Sequence, residues 1–266
     1  SRMSVPSVPP AALSVSAVDP PVGPHVIDRA LRPRRAAIDV ARAYLSLTKP
    51  KVIVLLEVPT LAAMLVAGAP EWPSPWLVGV TLLAGALAAG GSAAINCWFD
   101  RDIDAEMGTR TKRRAIPAGD VSASDALRFG TALASSSIVL LLVFVNGLAA
   151  LLTGIAVAIY VGVYTLWLKR STPSNIVLGG AAGAIPPLIG WAAVTGDLSA
   201  TPWLLFALIF FWTPPHFWAL ALLIHEQYAR AGVPMLPVVR GEAETRRQIV
   251  RSEEHTSELQ SLRHLV

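Results

Sequence analysis

Scarcities narrow this sequence before its motifs do. A single cysteine, Cys97, excludes an internal disulfide framework and any cysteine-rich metal site, which leaves it as a small buried apolar residue. Charged residues make up only 15% of the 266-residue chain while 53% is hydrophobic, and the mean hydropathy of +0.53 exceeds what the core of a soluble domain needs. No apolar h-region opens the chain, so its Pro-, Ala-, Ser- and Arg-rich start does not read as a signal peptide, and Asp19 and Asp28 sit awkwardly in a transit peptide. That start, residues 1–43, has no helical apolar face and is expected to be a disordered arm.

What is present instead is long apolar sequence. About 20 helical residues cross a ~30 Å hydrocarbon layer, and six stretches reach that length, at 52–69, 76–99, 124–145, 148–167, 175–194 and 203–224. The connections at 70–75, 146–147 and 195–202 contain no Lys or Arg. All 22 Lys and Arg lie before Val52, between Arg101 and Arg128, at Lys169 and Arg170, or from Arg230 onward, one side of the membrane if six helices alternate. By the positive-inside rule that side is the cytoplasm, or the matrix of an organelle. The net charge of +4 therefore reports topology and an anionic substrate, with no nucleic-acid partner.

The second apolar stretch ends in "NCWFDRDIDAEMGTR", residues 96–110. If that helix continues past Phe99, Asn96, Asp100 and Asp104 recur every four residues and share one face, because four steps of about 100° drift only ~40°. Asp102 and Glu106 point elsewhere and are expected to be ordinary interfacial charge. One amide and two carboxylates offer oxygen ligands to a hard cation such as Mg²⁺, which favours a few carboxylates together with substrate phosphate oxygens. An EF-hand loop fails, since Ala105 stands at its glycine position and Thr111 at its bidentate glutamate. Two explanations stay open for the stripe itself, a metal site or a solvated helix end.

The neighbouring loop favours the metal site. "TRTKRRAIPAG" adds Arg110, Lys112, Arg113 and Arg114, and guanidinium forks match phosphate oxygens. Acid and base together suit a metal-bound diphosphate, although the positive-inside signal alone accounts for basic residues here. The same side also receives Tyr164, Lys169 and Arg170 at the end of the fourth helix and Glu226, Tyr228 and Arg230 after the sixth. Two ionisable residues lie inside apolar stretches. His216 in "PPHFW" is either a core histidine bonded to carbonyls freed by Pro214 and Pro215 or a haem-iron ligand. Glu57 in "LLEVPT" either lines a cavity or is kept protonated and hydrogen-bonded.

Residues 44–250 resemble the UbiA-type intramembrane prenyltransferases, and within them the haem-farnesylating branch. The resemblance rests on "YLSLTKPKVI" (44–53), "NCWFDRDIDAEM" (96–107), "YTLWLKRSTPSNIVLGGAAGAIPPLIGW" (164–191), "WTPPHFWAL" (212–220) and "YARAGVPMLPVV" (228–239). The acidic motif indicates only the superfamily, whereas "TPPHFWAL" with "GVPMLPVV" points to the haem branch.

That resemblance implies an all-α polytopic membrane helix bundle, with six of about nine transmembrane helices present. It implies Mg²⁺ held by Asn96, Asp100 and Asp104 on the diphosphate of farnesyl diphosphate. Lys49, Arg110, Arg114, Tyr164, Lys169, Arg170, His216, Glu226 and Tyr228 become substrate-binding candidates, His216 toward haem. The implied reaction joins the farnesyl group to a vinyl group of haem b and, with water, forms haem O. The implied setting is the cytoplasmic membrane of a bacterium, with the N-terminus and motif loops cytoplasmic. The lipid bilayer, haem A synthase and oxidase assembly factors are the candidate partners.

Departures from the family pattern are specific. Glu226 and Gln227 precede Tyr228 where the family usually has aspartate next to the tyrosine, which weakens a second metal site, and Ala115 replaces a usual proline. The string at 251–261 resembles the conceptual translation of a sequencing-adapter oligonucleotide, so residues 251–266 are expected to be a non-native tail; a genuine amphipathic tail is the alternative. Two rivals stand beside the haem reading. One is prenyl transfer to an aromatic quinone precursor. The other is a transporter or assembly factor without chemistry, although no inverted repeat is evident.

Overall fold

The computed structural model describes residues 37–261, without the side chains of Arg110 and residues 253–261. Every regular element among the described residues is helical. Among the described residues, six helices are long and apolar enough to cross a membrane: α2 (Pro50–Gly68), α3 (Pro75–Phe99), α6 (Ala123–Phe144), α7 (Gly147–Ser171), the pair α8 (Asn175–Ala184) and α9 (Pro186–Thr195), and α10 (Ala200–Leu223). Shorter helices occupy the basic side: α1 (Ala37–Leu47), α4 (Arg101–Met107), α5 (Thr109–Lys112) and α11 (His225–Arg230). The chain continues through α12 (Leu236–Ser261), which bends at Gly241, where φ is 80°.

Two boundaries differ from the sequence expectation. The arm expected to be disordered through residue 43 is helical from Ala37, because alanines favour helix and Ala43 and Leu47 bury themselves beside Ala94 and Cys97 of α3. Residues 1–36 lie outside the described residues. The fifth apolar stretch is two helices meeting at Ile185, since Pro186 and Pro187 lack the N–H groups that would continue the hydrogen-bond ladder. Capping is local and conventional at three starts, where Ser74, Ser122 and Asn146 accept from Leu77, Asp125 and Ala149 backbone N–H groups.

Small residues set the packing, as they must where lipid removes the hydrophobic drive between helices. Gly91 of α3 faces Gly130 of α6 so closely that a Cβ on Gly91 would lie 2.6 Å from the Gly130 carbonyl oxygen. Farther along the same crossing, the Ser137 hydroxyl donates to the Ala84 carbonyl at 2.6 Å. Gly190 of α9 lies against the Thr60 carbonyl of α2, and Gly180 of α8 against Thr213 of α10. The loop end opposite the basic side is closed by an apolar cluster including Met64, Ala84, Leu141, Leu188 and Ala192. There Asn146 donates to the Ala192 carbonyl at 2.8 Å, tying the α6–α7 corner to α9.

Candidate functional site

Opposite that apolar end, α3 does not stop cleanly at Phe99. Asp100 has φ −84° and ψ 6°, a bend, yet its N–H bonds to the Asn96 carbonyl at 2.9 Å and its carbonyl receives the Asp104 N–H at 2.8 Å. Four-residue spacing therefore survives the bend. Asn96, Asp100 and Asp104 are 3%, 0% and 1% exposed, whereas Asp102 and Glu106 are exposed. The stripe counted along the sequence is a buried polar seam, not a solvated helix end.

Apolar packing on two sides holds the seam in place. Ala115, Ile116 and Val121 of the basic loop pack with Leu47, Ala94, Cys97 and Ala126, which anchors the loop that carries Arg114. Ile103 and Met107 of α4 cluster with Ile176, Val233 and Met235, and Tyr228 and Trp218 pack against that cluster. Tyr228 thus reaches the neighbourhood of the acidic helix, and burial pushes its phenol pKa up.

Cations from separate segments meet the carboxylates. Lys169 of α7 donates to Asp100 Oδ2, which also accepts from Asn96 Nδ2 at 2.9 Å. Arg114 Nη1 lies 2.6 Å from Asp104 Oδ1. Burial works against the Arg114 charge, but the Asp104 hydrogen bond and charge outweigh it, so its pKa sits above the usual value. Lys49 Nζ donates to Asn96 Oδ1 at 2.9 Å, and Asn96 Nδ2 also reaches Thr165 Oγ1 at 3.2 Å. After these contacts, Asp100 Oδ1 and Asp104 Oδ2 are buried without a hydrogen-bond partner. Two orphaned carboxylate oxygens one helical turn apart are costly unless something positive meets them, and a hard divalent cation fits that donor set.

Asp102 departs from the expected role of ordinary interfacial charge. Arg170 grips it with both nitrogens, at 2.6 and 2.7 Å, bonds the Phe99 carbonyl at 2.8 Å, and lies over the Phe99 ring at 4.4 Å. The Arg170 hydrogen bond holds the Asp102 carboxyl down at a pKa of about 2. Arg170, expected to bind phosphate, is thereby committed to fastening the end of α7 to α4. A hollow of about 160 Å³ beside it is lined by Asp102, Glu106 and Arg170. Two carboxylates against one committed guanidinium make it a poor anion site.

The remaining candidates are placed unevenly. Tyr164 stacks on Tyr160 at 5.6 Å and packs over Gly179. Both tyrosines belong to a π-helical stretch, Ala158–Leu168, in which the Thr165 hydroxyl bonds the Tyr160 carbonyl five residues back at 2.8 Å. Glu226 is exposed, whereas the Gln227 amide oxygen lies 3.9 Å from where a Gly108 Cβ would stand, beside the acidic helix. His216 is exposed on α10, stacked on Trp212 at 4.3 Å and edge-on to Phe217, rather than bonded to a freed carbonyl. The Arg110 side chain lies outside the described residues. Glu57 packs against Gly85 with Oε2 buried and unpartnered.

Sequence reasoning missed Thr165 and Asn175, and it set Gln227 down as a weakened second metal position while naming Glu226 as the binding candidate. Thr165 carries no charge to attract notice, and its signal was only its place between Tyr164 and Lys169. Asn175, fully buried, bonds the Thr172 carbonyl at 2.8 Å and leaves Oδ1 unpartnered.

The profile described as the UbiA prenyltransferase family matches residues 56–252. A protein of Trichodesmium erythraeum named protoheme IX farnesyltransferase is 56% identical over 227 residues, 85% of this chain and 68% of that protein. One of Chloroflexus aurantiacus with the same name is 58% identical over 213 residues, 79% of this chain and 36% of its own length. This chain thus spans between about a third and two thirds of the length of these relatives. Among solved structures, a UbiA homolog from Archaeoglobus fulgidus bound to DMAPP and Mg²⁺ superposes with a TM-score of 0.69 at 20% identity, covering 81% of this chain and 75% of that one.

Proposed function

The chain belongs to the UbiA prenyltransferase family, a multi-pass membrane protein, and from that premise we propose that it joins the farnesyl group of farnesyl diphosphate to a vinyl group of haem b. The observation that carries the site assignment is the pair of buried, unpartnered oxygens, Asp100 Oδ1 and Asp104 Oδ2, flanked by Lys49, Lys169 and Arg114. The haem acceptor is supported by the relatives' names and by the "TPPHFWAL" and "GVPMLPVV" strings. The solved homolog's title pairs Mg²⁺ with a prenyl diphosphate, which supports the same pairing here.

Asn96, Asp100 and Asp104 would hold Mg²⁺, which supplies Lewis-acid neutralisation of the departing diphosphate. Lys49, Lys169 and Arg114 each have phosphate oxygens as an alternative partner to the seam. As the C1–O bond of the farnesyl diphosphate breaks, these cations meet the charge that accumulates on the leaving group. The allylic carbon then bonds to the vinyl group, water adds to the resulting cation and loses a proton, and the product is haem O with free diphosphate. Seam burial keeps bulk water from the allylic carbon. His216, beside Trp212 on the exposed face of α10, is the candidate haem contact. By the distribution of Lys and Arg, the seam side faces the cytoplasm.

Membranes containing the protein, given labelled farnesyl diphosphate, Mg²⁺ and haem b, should yield labelled haem O. Asp100→Asn and Asp104→Asn should each lower turnover by about 100-fold or more, on the scale of losing a leaving-group stabiliser. Label transferred to a quinone precursor instead would move the protein to another branch of the family. Indifference to both substitutions would point to a non-catalytic transporter or assembly factor.

A further inference from the structure

Lys49 is unlike every other residue around the seam. Among the described residues it is the one non-glycine position with positive φ, at 53° with ψ 64°. It also precedes Pro50, whose ring already restricts the backbone of its neighbour. Strain of this kind persists where surrounding contacts over-determine it. Those contacts are visible: buried Thr48 bonds the Leu45 carbonyl at 2.8 Å, and the Lys49 carbonyl receives the Val52 N–H at 2.8 Å, opening α2. The strained turn aims the ammonium at Asn96.

Asn96 has one carbonyl oxygen to offer. Its NH₂ is committed to Asp100 Oδ2 and Thr165 Oγ1, so the end facing Lys49 is the oxygen, and Lys49 caps it. Lys169 likewise occupies Asp100 Oδ2. A divalent cation arriving alone therefore meets two free oxygens and two ammonium groups. A diphosphate arriving with it gives the ammonium groups another partner.

We propose that Lys49 is a gate that makes cation binding conditional on the diphosphate: its ammonium caps Asn96 Oδ1 until phosphate oxygens draw it away, and only then does that oxygen face the metal. The gate rests on the reading of the seam as a metal-diphosphate site and adds an order to its loading. Lys49 acts on the cation through Asn96 and on the diphosphate directly.

Purified protein in detergent, titrated with Mn²⁺ and followed by electron paramagnetic resonance of free Mn²⁺, tests it with inorganic pyrophosphate as the second ligand. The Mn²⁺–pyrophosphate complex formed without protein is subtracted. Wild-type protein should bind Mn²⁺ weakly alone and about tenfold or more tightly with saturating pyrophosphate. Lys49→Gly accepts the positive φ without strain and removes the ammonium, and Lys49→Met removes only the ammonium. Both should bind Mn²⁺ alone about tenfold more tightly than wild type, the scale of one charged hydrogen bond, with the pyrophosphate effect correspondingly reduced. Lys51→Met, which removes an equal charge two residues away, should match wild type. A merely structural Lys49 would lower the affinity of both variants, and unchanged or lowered affinity in both overturns the gate. Failure of wild type to bind Mn²⁺ even with pyrophosphate overturns the diphosphate site itself.

Discussion

Asp100→Asn is the perturbation for which the structure gives the sharpest expectation. Asp100 is 1% exposed at its side chain and Lys169 is 13% exposed, so their contact is a buried ion pair. Removing one partner of such a pair typically costs 3–5 kcal/mol, because the other charge is left buried and uncompensated. Asparagine keeps one acceptor oxygen for the ammonium, which places the loss at the low end, about 3 kcal/mol. For a chain of this size that lowers the thermal midpoint by roughly 6–12 °C. Lys169→Met strands the carboxylate instead and should cost a similar amount. In the double variant neither charge remains, so the losses should not add; the coupling should approach about 3 kcal/mol. Tryptophan fluorescence during heating in detergent measures all four proteins. Midpoints that simply add would refute the buried pair. The double variant should still fail to retain Mn²⁺ with pyrophosphate, because removing the stranded charge does not restore the carboxylate.

Other perturbations probe the scaffold and the seam's flank. Gly91→Ala drives a methyl group to 2.6 Å from the Gly130 carbonyl oxygen, a backbone atom that cannot swing away, and should cost about 1–3 kcal/mol by thermal midpoint. Gly85→Ala meets only the flexible Glu57 carboxyl and should cost less. Glu57→Met preserves volume while removing a carboxyl whose Oε2 is unpartnered, and should raise the thermal midpoint with no loss of Mn²⁺ binding at the seam. The Asp102–Arg170 bridge has a carboxyl pKa depressed to about 2 by the Arg170 hydrogen bond. Its stabilisation is therefore complete above the ordinary carboxylate pKa near 4 and is lost as pH falls through about 2. The midpoint difference between wild type and Asp102→Asn should be flat from pH 8 to about pH 5 and vanish toward pH 2. With Asp102 58% exposed, screening keeps that difference within about 1 kcal/mol.

The six spans were legible because lipid demands long apolar runs, and length with hydropathy places each helix within a few residues. The seam was legible for a similar reason. Helical spacing survives the bend at Asp100, so counting by fours sorted Asn96, Asp100 and Asp104 from Asp102 and Glu106. Partners across helices were not legible. Nothing in the local spacing says that Lys169 meets Asp100 while its neighbour Arg170 meets Asp102; the π-helical stretch ahead of them helps set that register. Nor does composition reveal that Lys49 takes a left-handed backbone, since only the contacts of Thr48 and α2 stabilise that conformation. In the second motif charge misled, because exposed Glu226 drew attention that Gln227, turned toward Gly108, had the better claim to.

Charge matching bears on how many cations the seam takes. Lys49, bonded to Asn96, joins Arg114, Lys169 and Arg170, bonded to Asp104, Asp100 and Asp102, to give four cations against three carboxylates, an excess of one positive charge around the seam. A fully ionised prenyl diphosphate brings about three negative charges, by extension from phosphate monoesters, so one divalent cation brings the loaded seam close to neutral. A second would leave about two uncompensated positive charges at a site whose carboxylates Asp100 and Asp104 are buried, where such an excess is unfavourable. Gln227, which supplies an oxygen without charge, offers no offset. Wild-type protein with saturating pyrophosphate should therefore bind one Mn²⁺, and Gln227→Asp, adding a carboxylate beside Gly108, should add a second of lower affinity. Two Mn²⁺ in the wild type, or one in Gln227→Asp, would show that groups outside this set of seven balance the seam.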